Sequence, residues 1–151
     1  MVDKKKKLSV RRLNRIAAMQ FLYAWEINAG SDLNKQIFEF FNTLERDRTF
    51  YEFAEYLLQG AIPELSFLDQ VIREIAVNWK FDRIAKIDLA ILRLATYELK
   101  FCREIPPVVT VNEAIELGKM FSQADSKRFI NGILDKLIKQ LDRPSRQASS
   151  Q

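Results

Sequence analysis

Residues 82–101, DRIAKIDLAILRLATYELKF, hold more apolar side chains than one face of a helix can use. Ile84, Ile87, Ile91 and Leu94 recur at helical spacing, and Leu89, Leu92 and Ala95 widen the stripe around the axis. A helix apolar over so much of its circumference is stable in water only when other elements cover it on more than one side. This segment therefore predicts a central helix around which the rest of the chain packs. Pro106 and Pro107 end it, because the residue before a proline is pushed out of the helical region.

The remaining segments repeat the helical period, and no alternating strand pattern interrupts them. A first helix is expected over Ser9–Ala29, with Gly30 as its stop signal. Its core face collects Leu13, Ile16, Ala17, Gln20, Ala24 and Ile27. Arg11, Arg12 and Arg15 project on the opposite side, with Met19 and Leu22 further along it. A second helix over Asp32–Leu44 turns Leu33, Ile37, Phe40 and Phe41 inward. A third, within 46–62, offers Phe50, Phe53, Ala54, Leu57 and Leu58 to the core. Pro63 marks a break, restart or kink, after which Leu65, Leu68, Val71, Ile72 and Ile75 resume the pattern. The connector NWKFDR holds two exposed-looking aromatics, Trp79 and Phe81. Beyond the proline pair, Thr110 and Glu113 have the spacing of a capping box, and Ile115, Leu117 and Phe121 carry that helix toward Ser122. Asp125 is placed to cap a last helix that runs to about Leu141. The fold class is all-α, with about seven helices.

Composition narrows the function. The chain of 151 residues has no histidine, which removes the commonest acid–base catalyst and metal ligand. Its single cysteine, Cys102, cannot build a disulfide framework or a structural zinc site, and its four glycines form no phosphate-cradling loop. These features argue against an enzyme and imply no cofactor, no metal and no catalytic residue. With no signal peptide or membrane-spanning run, a cytoplasmic location is expected. The net charge of +4 is unevenly spread: residues 1–15 hold seven basic side chains against Asp3 alone, whereas the remainder is slightly acidic. Such a basic start suits either a solvated tail or an arm that binds a polyanion.

The stretch QADSKRFINGILDKL, 123–137, adds a second clue. Ile130, Ile133, Leu134, Leu137 and Ile138 form the apolar stripe of its helix, and Phe129 stands about 110° away from the middle of that stripe. Phe129 shares its sector with Asp125, Arg128, Gly132 and Lys136. One reading is edge packing against a neighbouring helix. The other is a stacking platform for an unpaired RNA base, with Lys127 and Arg128 for phosphates, Ser126 as a hydroxyl donor and Asp125 as an acceptor for base amino groups.

These segments together resemble the NusB family of transcription antitermination factors. The resemblance rests on FDRIAKIDLAILRLATYEL, VNEAIELGKMF and ADSKRFINGILDKL, with RRLNRIAAMQFLYAWE similar to that family's arginine-rich first helix. It implies a compact bundle in two small helical subdomains: a basic arm over 1–8, one helical domain over 9–142 with halves of about 9–78 and 79–142, and a disordered tail over 143–151. It also implies pairing with NusE, a small-subunit ribosomal protein, binding of single-stranded boxA-type RNA from ribosomal RNA operons, and membership of the complex that helps RNA polymerase resist termination. By position, Arg11, Arg12, Arg15, Phe121, Asp125, Ser126, Lys127 and Phe129 fall on the family's RNA contacts, and Arg128 lies beside Phe129, placed to add a phosphate contact. Tyr23, Trp79 and Asp88 fall where it meets NusE or the protein–RNA boundary. Some members self-associate through the RNA-binding face, which leaves a homodimer open. Two other readings stand beside this one: an accessory domain related to ribosomal RNA cytosine methyltransferases, and a helical adaptor that binds only proteins.

Overall fold

The computed structural model describes residues 7–27 and 32–144, and every regular element among them is helical. Seven α-helices span Val10–Ile27 (α1), Leu33–Asn42 (α2), Glu52–Ala61 (α3), Leu65–Ile75 (α4), Lys86–Phe101 (α5), Pro107–Phe121 (α6) and Ser126–Gln140 (α7). Short 3-10 turns at Arg48–Tyr51, Ile62–Glu64 and Phe81–Arg83 join some of them, the second of these carrying Pro63. The lysines before Lys7, the stop assigned to Gly30 and the core position assigned to Ile27 lie outside the described residues and side chains. No helix of the described residues is long and apolar enough to cross a membrane.

α5 sits where its sequence places it. It packs against α1, α3, α4, α6 and α7, and every residue from Asp88 to Leu99 is buried. Full enclosure forces its charged side chains to find partners, because an unpaired buried charge is costly. Arg93 meets Asp69 of α4 through two hydrogen bonds of 2.7 and 2.8 Å. Glu98 accepts from Arg15 of α1 at 3.0 and 2.7 Å and from the Thr110 hydroxyl of α6 at 3.1 Å. Asp88 binds the junction of α6 and α7, described below. The contact with α3 depends on Gly60: a Cβ there would stand 1.7 Å from the Tyr97 hydroxyl oxygen. At the far end of α5, Arg143, which composition assigns to the polar tail, donates to the carbonyls of Leu99, Arg103 and Ile105. A cation over these carbonyls complements the negative end of the helix dipole.

Two expectations are corrected here. On α1 the buried positions are Asn14, Arg15, Ala17, Ala18, Met19, Phe21 and Leu22, while Gln20 and Ala24 are exposed. The core face is thus rotated toward the side assigned to the arginines. Partners supplied by distant segments draw the polar residues inward. The Asn14 amide donates to Val10 O and Phe50 O and accepts from the backbone N–H of Ala54, in the first turn of α3, where helix amides lack internal partners. On α6 the helix starts at Pro107, a residue suited to a first turn whose N–H groups are unpaired in any case. Thr110 is therefore already inside the helix and bonded to Glu98, and Glu113 is bonded to Arg12, so the capping box does not form.

The Arg15–Glu98 pair joins α1 to α5 with both side chains almost wholly buried. Replacing Glu98 with alanine leaves the Arg15 guanidinium enclosed and unpaired, and is expected to cost about 3–5 kcal/mol in urea unfolding. Replacing both partners with apolar residues of similar volume is expected to cost much less.

Candidate nucleic-acid interface

α6 ends at Phe121, where Ser122 turns extended, and α7 starts at Ser126, so four residues make the junction. Beneath it lies Asp88, in the first turn of α5. The hydroxyls of Ser122 and Ser126 donate to its two carboxylate oxygens, Ser126 at 2.7 Å, and the hydroxyl oxygens lie 2.7 Å from each other. Asp88 and Ser126 are both buried. Both also line a cavity of about 200 Å³ beside Trp79 and Phe129. Asp88 is not a solvated acid: it is a buried fastening for the turn. Asp125 occupies the N-cap position of α7, but its side chain makes no capping hydrogen bond and is exposed.

With the turn fixed, α7 presents Phe129. The ring is half-buried, its inner side packed on the core. Trp79, from the loop after α4, meets it edge-to-face with centroids 5.0 Å apart and planes at 65°. Trp79 itself is 61% exposed. A cavity of about 380 Å³ opens beside the pair, lined in part by Asp125, Arg128, Gly132 and Lys136. These are the residues that the helical wheel puts in one sector with Phe129. Trp79 was the missing member of this group, since nothing local ties residue 79 to residue 129. Lys127 is exposed at the start of α7 and lines neither this cavity nor the smaller one on the other side of Phe129.

The three arginines of α1 have three different environments. Arg11 is exposed, its guanidinium 4.0 Å above the Phe53 ring. Arg12 donates to both carboxylate oxygens of Glu113 on α6, at 2.9 and 3.0 Å. The hydrogen bond from Arg12 holds the Glu113 carboxyl below its ordinary range, against the opposing effect of burial. The pair therefore contributes stability above the ordinary carboxylate range, and that contribution fades as pH falls through the lowered value. Arg15 is enclosed with Glu98, which removes it from the surface where the sequence reading placed it.

Arg12 and the aromatic turn nonetheless both border α6. Arg12 and Tyr23 are eleven residues apart, which at about 100° per residue returns to within about 20° of the same direction. Arg12 reaches α6 at Glu113, and Tyr23 lines a surface depression with Phe121, Ser122 and Gln123 at the end of that helix. One stripe of α1 thus meets α6 at two points, with Arg12 on Glu113 and Tyr23 beside the junction. Phe121 is half-buried there, facing Tyr23 across the depression.

The NusB family profile matches residues 12–139. The transcription antitermination protein NusB of Trichlorobacter lovleyi is 42% identical over 132 residues, covering 86% of this chain and 91% of that protein. The structure of NusB from T. maritima superposes with a TM-score of 0.77 at 34% identity, over 92% of this chain and 93% of that one. A crystal structure of antitermination factors NusB and NusE in complex with double-stranded RNA has the same fold: TM-score 0.77 at 22% identity, over 89% of this chain and 100% of that one.

The Asp88 fastening has a measurable consequence. Asp88→Ala takes the acceptor from the buried Ser126 hydroxyl and the partly buried Ser122 hydroxyl and is expected to cost about 1–3 kcal/mol. Amide hydrogen exchange should accelerate chiefly over residues 122–130, with the centre of α5 still protected.

Proposed function

The chain belongs to the NusB family, and on that premise we propose that it is an RNA-binding antitermination factor that takes single-stranded boxA-type RNA jointly with a NusE-type ribosomal protein and so helps RNA polymerase resist termination. The observation that carries this reading is the half-exposed ring of Phe129, held beside Asp125 and Arg128 at one end of the α1–α6 stripe that starts at Arg12.

In this reading the protein works by assembly. Arg11 and Lys7, both exposed, attract the RNA backbone and release its counterions, which supplies affinity with little sequence information. Lys127 and Arg128 hold phosphates near the start of α7, where unpaired helix amides also favour anions. A base that leaves its stack lies against Phe129, and the Asp125 carboxylate accepts from its amino or imino group. A single strand suits this arrangement, because the ring can be reached only by an unstacked base. Tyr23 and the depression it shares with Phe121–Gln123 form the neighbouring ground for the ribosomal protein. Asp88 and Ser126 contribute from below, by holding the turn in place. Arg15 has no direct part.

Arg12 enters as an exchange. To bind a phosphate it must leave Glu113, so the carboxylate competes with the RNA. Titrating labelled boxA-like and scrambled oligonucleotides, with and without the ribosomal protein, tests the whole reading; equal affinity for both sequences under all conditions would remove it. Phe129→Ala is expected to weaken boxA binding by about 1–3 kcal/mol with the fold intact by circular dichroism. Glu113→Gln should instead tighten binding, by a factor of up to about five at low salt, and adding Arg12→Ala should abolish that gain.

A further inference from the structure

We propose that the Trp79–Phe129 pair is a partition between two adjoining nucleotide pockets that hold successive unstacked bases, which makes Trp79 an RNA-contacting residue. The inference rests on the RNA-binding reading above and extends it to residues outside α7.

The ring geometry requires two pockets. With planes at 65° and centroids 5.0 Å apart, the two rings touch each other and leave no slot between them for a base. What they offer instead are outer surfaces on either side of the pair. A separate depression lies on each side, and Trp79, Asp125 and Phe129 line both of them. The larger, about 380 Å³, adds Asn78, Arg128, Gly132 and Lys136 over an apolar base of Ile75 and Ile133. The smaller, about 200 Å³, adds Arg83, Gln123, Ile84 and Ala85, together with Asp88 and Ser126, whose side chains are tied to each other by a hydrogen bond. Each therefore combines an aromatic wall, an apolar floor, a side-chain amide and at least one cation. That is the set of groups an unstacked base and its phosphate need. Asp125, uncommitted as a helix cap, is the acceptor at the boundary between them.

Two features of the molecule gain a physical reason from this arrangement. Trp79 stands 61% exposed on a loop, and an indole joins a broad apolar face to a polar N–H that suits a binding partner. Gly132 lies in the interior of α7, where glycine costs about 1 kcal/mol relative to alanine. It has no positive φ, and a Cβ there would meet nothing within 4 Å. Among the described residues no contact needs this glycine. It leaves the floor of the larger pocket open. A protein segment lying across the same loop would use the tryptophan, but it would give no account of cations on both sides of the partition or of a glycine kept in the floor.

The test is RNA titration of the full chain, without the ribosomal protein, using a boxA-type oligonucleotide and versions made abasic at each position in turn. Trp79→Ala is expected to weaken binding at least about tenfold, and Trp79→Phe to restore most of it. Gly132→Leu, which fills the larger pocket and favours the helix, should weaken binding to a similar extent while thermal stability holds or rises. Sensitivity to abasic sites should be greatest at two neighbouring positions and should fall at one or both of them in Trp79→Ala. If Phe129→Ala weakens binding while Trp79→Ala and Gly132→Leu do not, the two-pocket partition is overturned and the RNA reading survives. If Trp79→Ala leaves RNA affinity unchanged and, in a separate titration with the ribosomal protein, weakens that association, the tryptophan belongs to a protein interface and the proposal is again overturned. If Phe129→Ala also leaves RNA affinity unchanged, the RNA reading of this face fails with it.

Discussion

Enclosure of α5 is the constraint on which the rest of the structure depends. A helix covered on all sides cannot send its charged side chains to water, so each must be met by a group from the helix packed against it. Glu98 is met by Arg15 and Thr110, Arg93 by Asp69, and Asp88 by Ser122 and Ser126. These links fix α1, α4, α6 and the α6–α7 junction relative to one axis. Apolar packing alone would permit sliding along α5; directional hydrogen bonds to buried carboxylates do not. The surface that carries Phe129 is held at the outer end of this internal network.

The same constraint explains which parts of the structure could be read from the sequence. Helix identity was legible almost throughout, because apolar spacing is a local signal. The centrality of α5 was legible because no other stretch is apolar over so much of its circumference. The face of α1 was not, because a wheel sorts residues by type and sends arginine and asparagine outward. Asn14 and Arg15 go inward because Phe50, Ala54 and Glu98, between 36 and 83 positions away, supply what they need. Thr110 and Glu113 failed as a capping box for the same reason: each has a better partner on another helix.

The site divides along the same line. The sector of Asp125, Arg128, Phe129, Gly132 and Lys136 belongs to one helix and its cap, so periodicity alone groups it, and the cavity beside Phe129 is lined by all five. Trp79 joins them from a loop 50 positions earlier, through tertiary packing that no local pattern encodes. Asp88, which in sequence reads as an acid at a helix start, becomes a buried support only because α6 and α7 meet above it. The residues that touch solvent at the site were therefore more legible than the residues that hold them in place.

The distribution of arginines bears on how such a surface would discriminate among polyanions. If every arginine of α1 were free, any phosphate chain would bind, since counterion release is indifferent to sequence. Here Arg15 is enclosed and Arg12 already has a carboxylate. Exchanging Glu113 for a phosphate replaces one charge-assisted pair with another, so the net gain from Arg12 is small and depends on the RNA placing a phosphate in the right position. Arg11 and Lys7 remain to attract; Arg12 can only select. In the proposed function, weakening the general attraction in this way would leave more of the binding free energy to base contacts at Phe129 and Asp125, where sequence would be read.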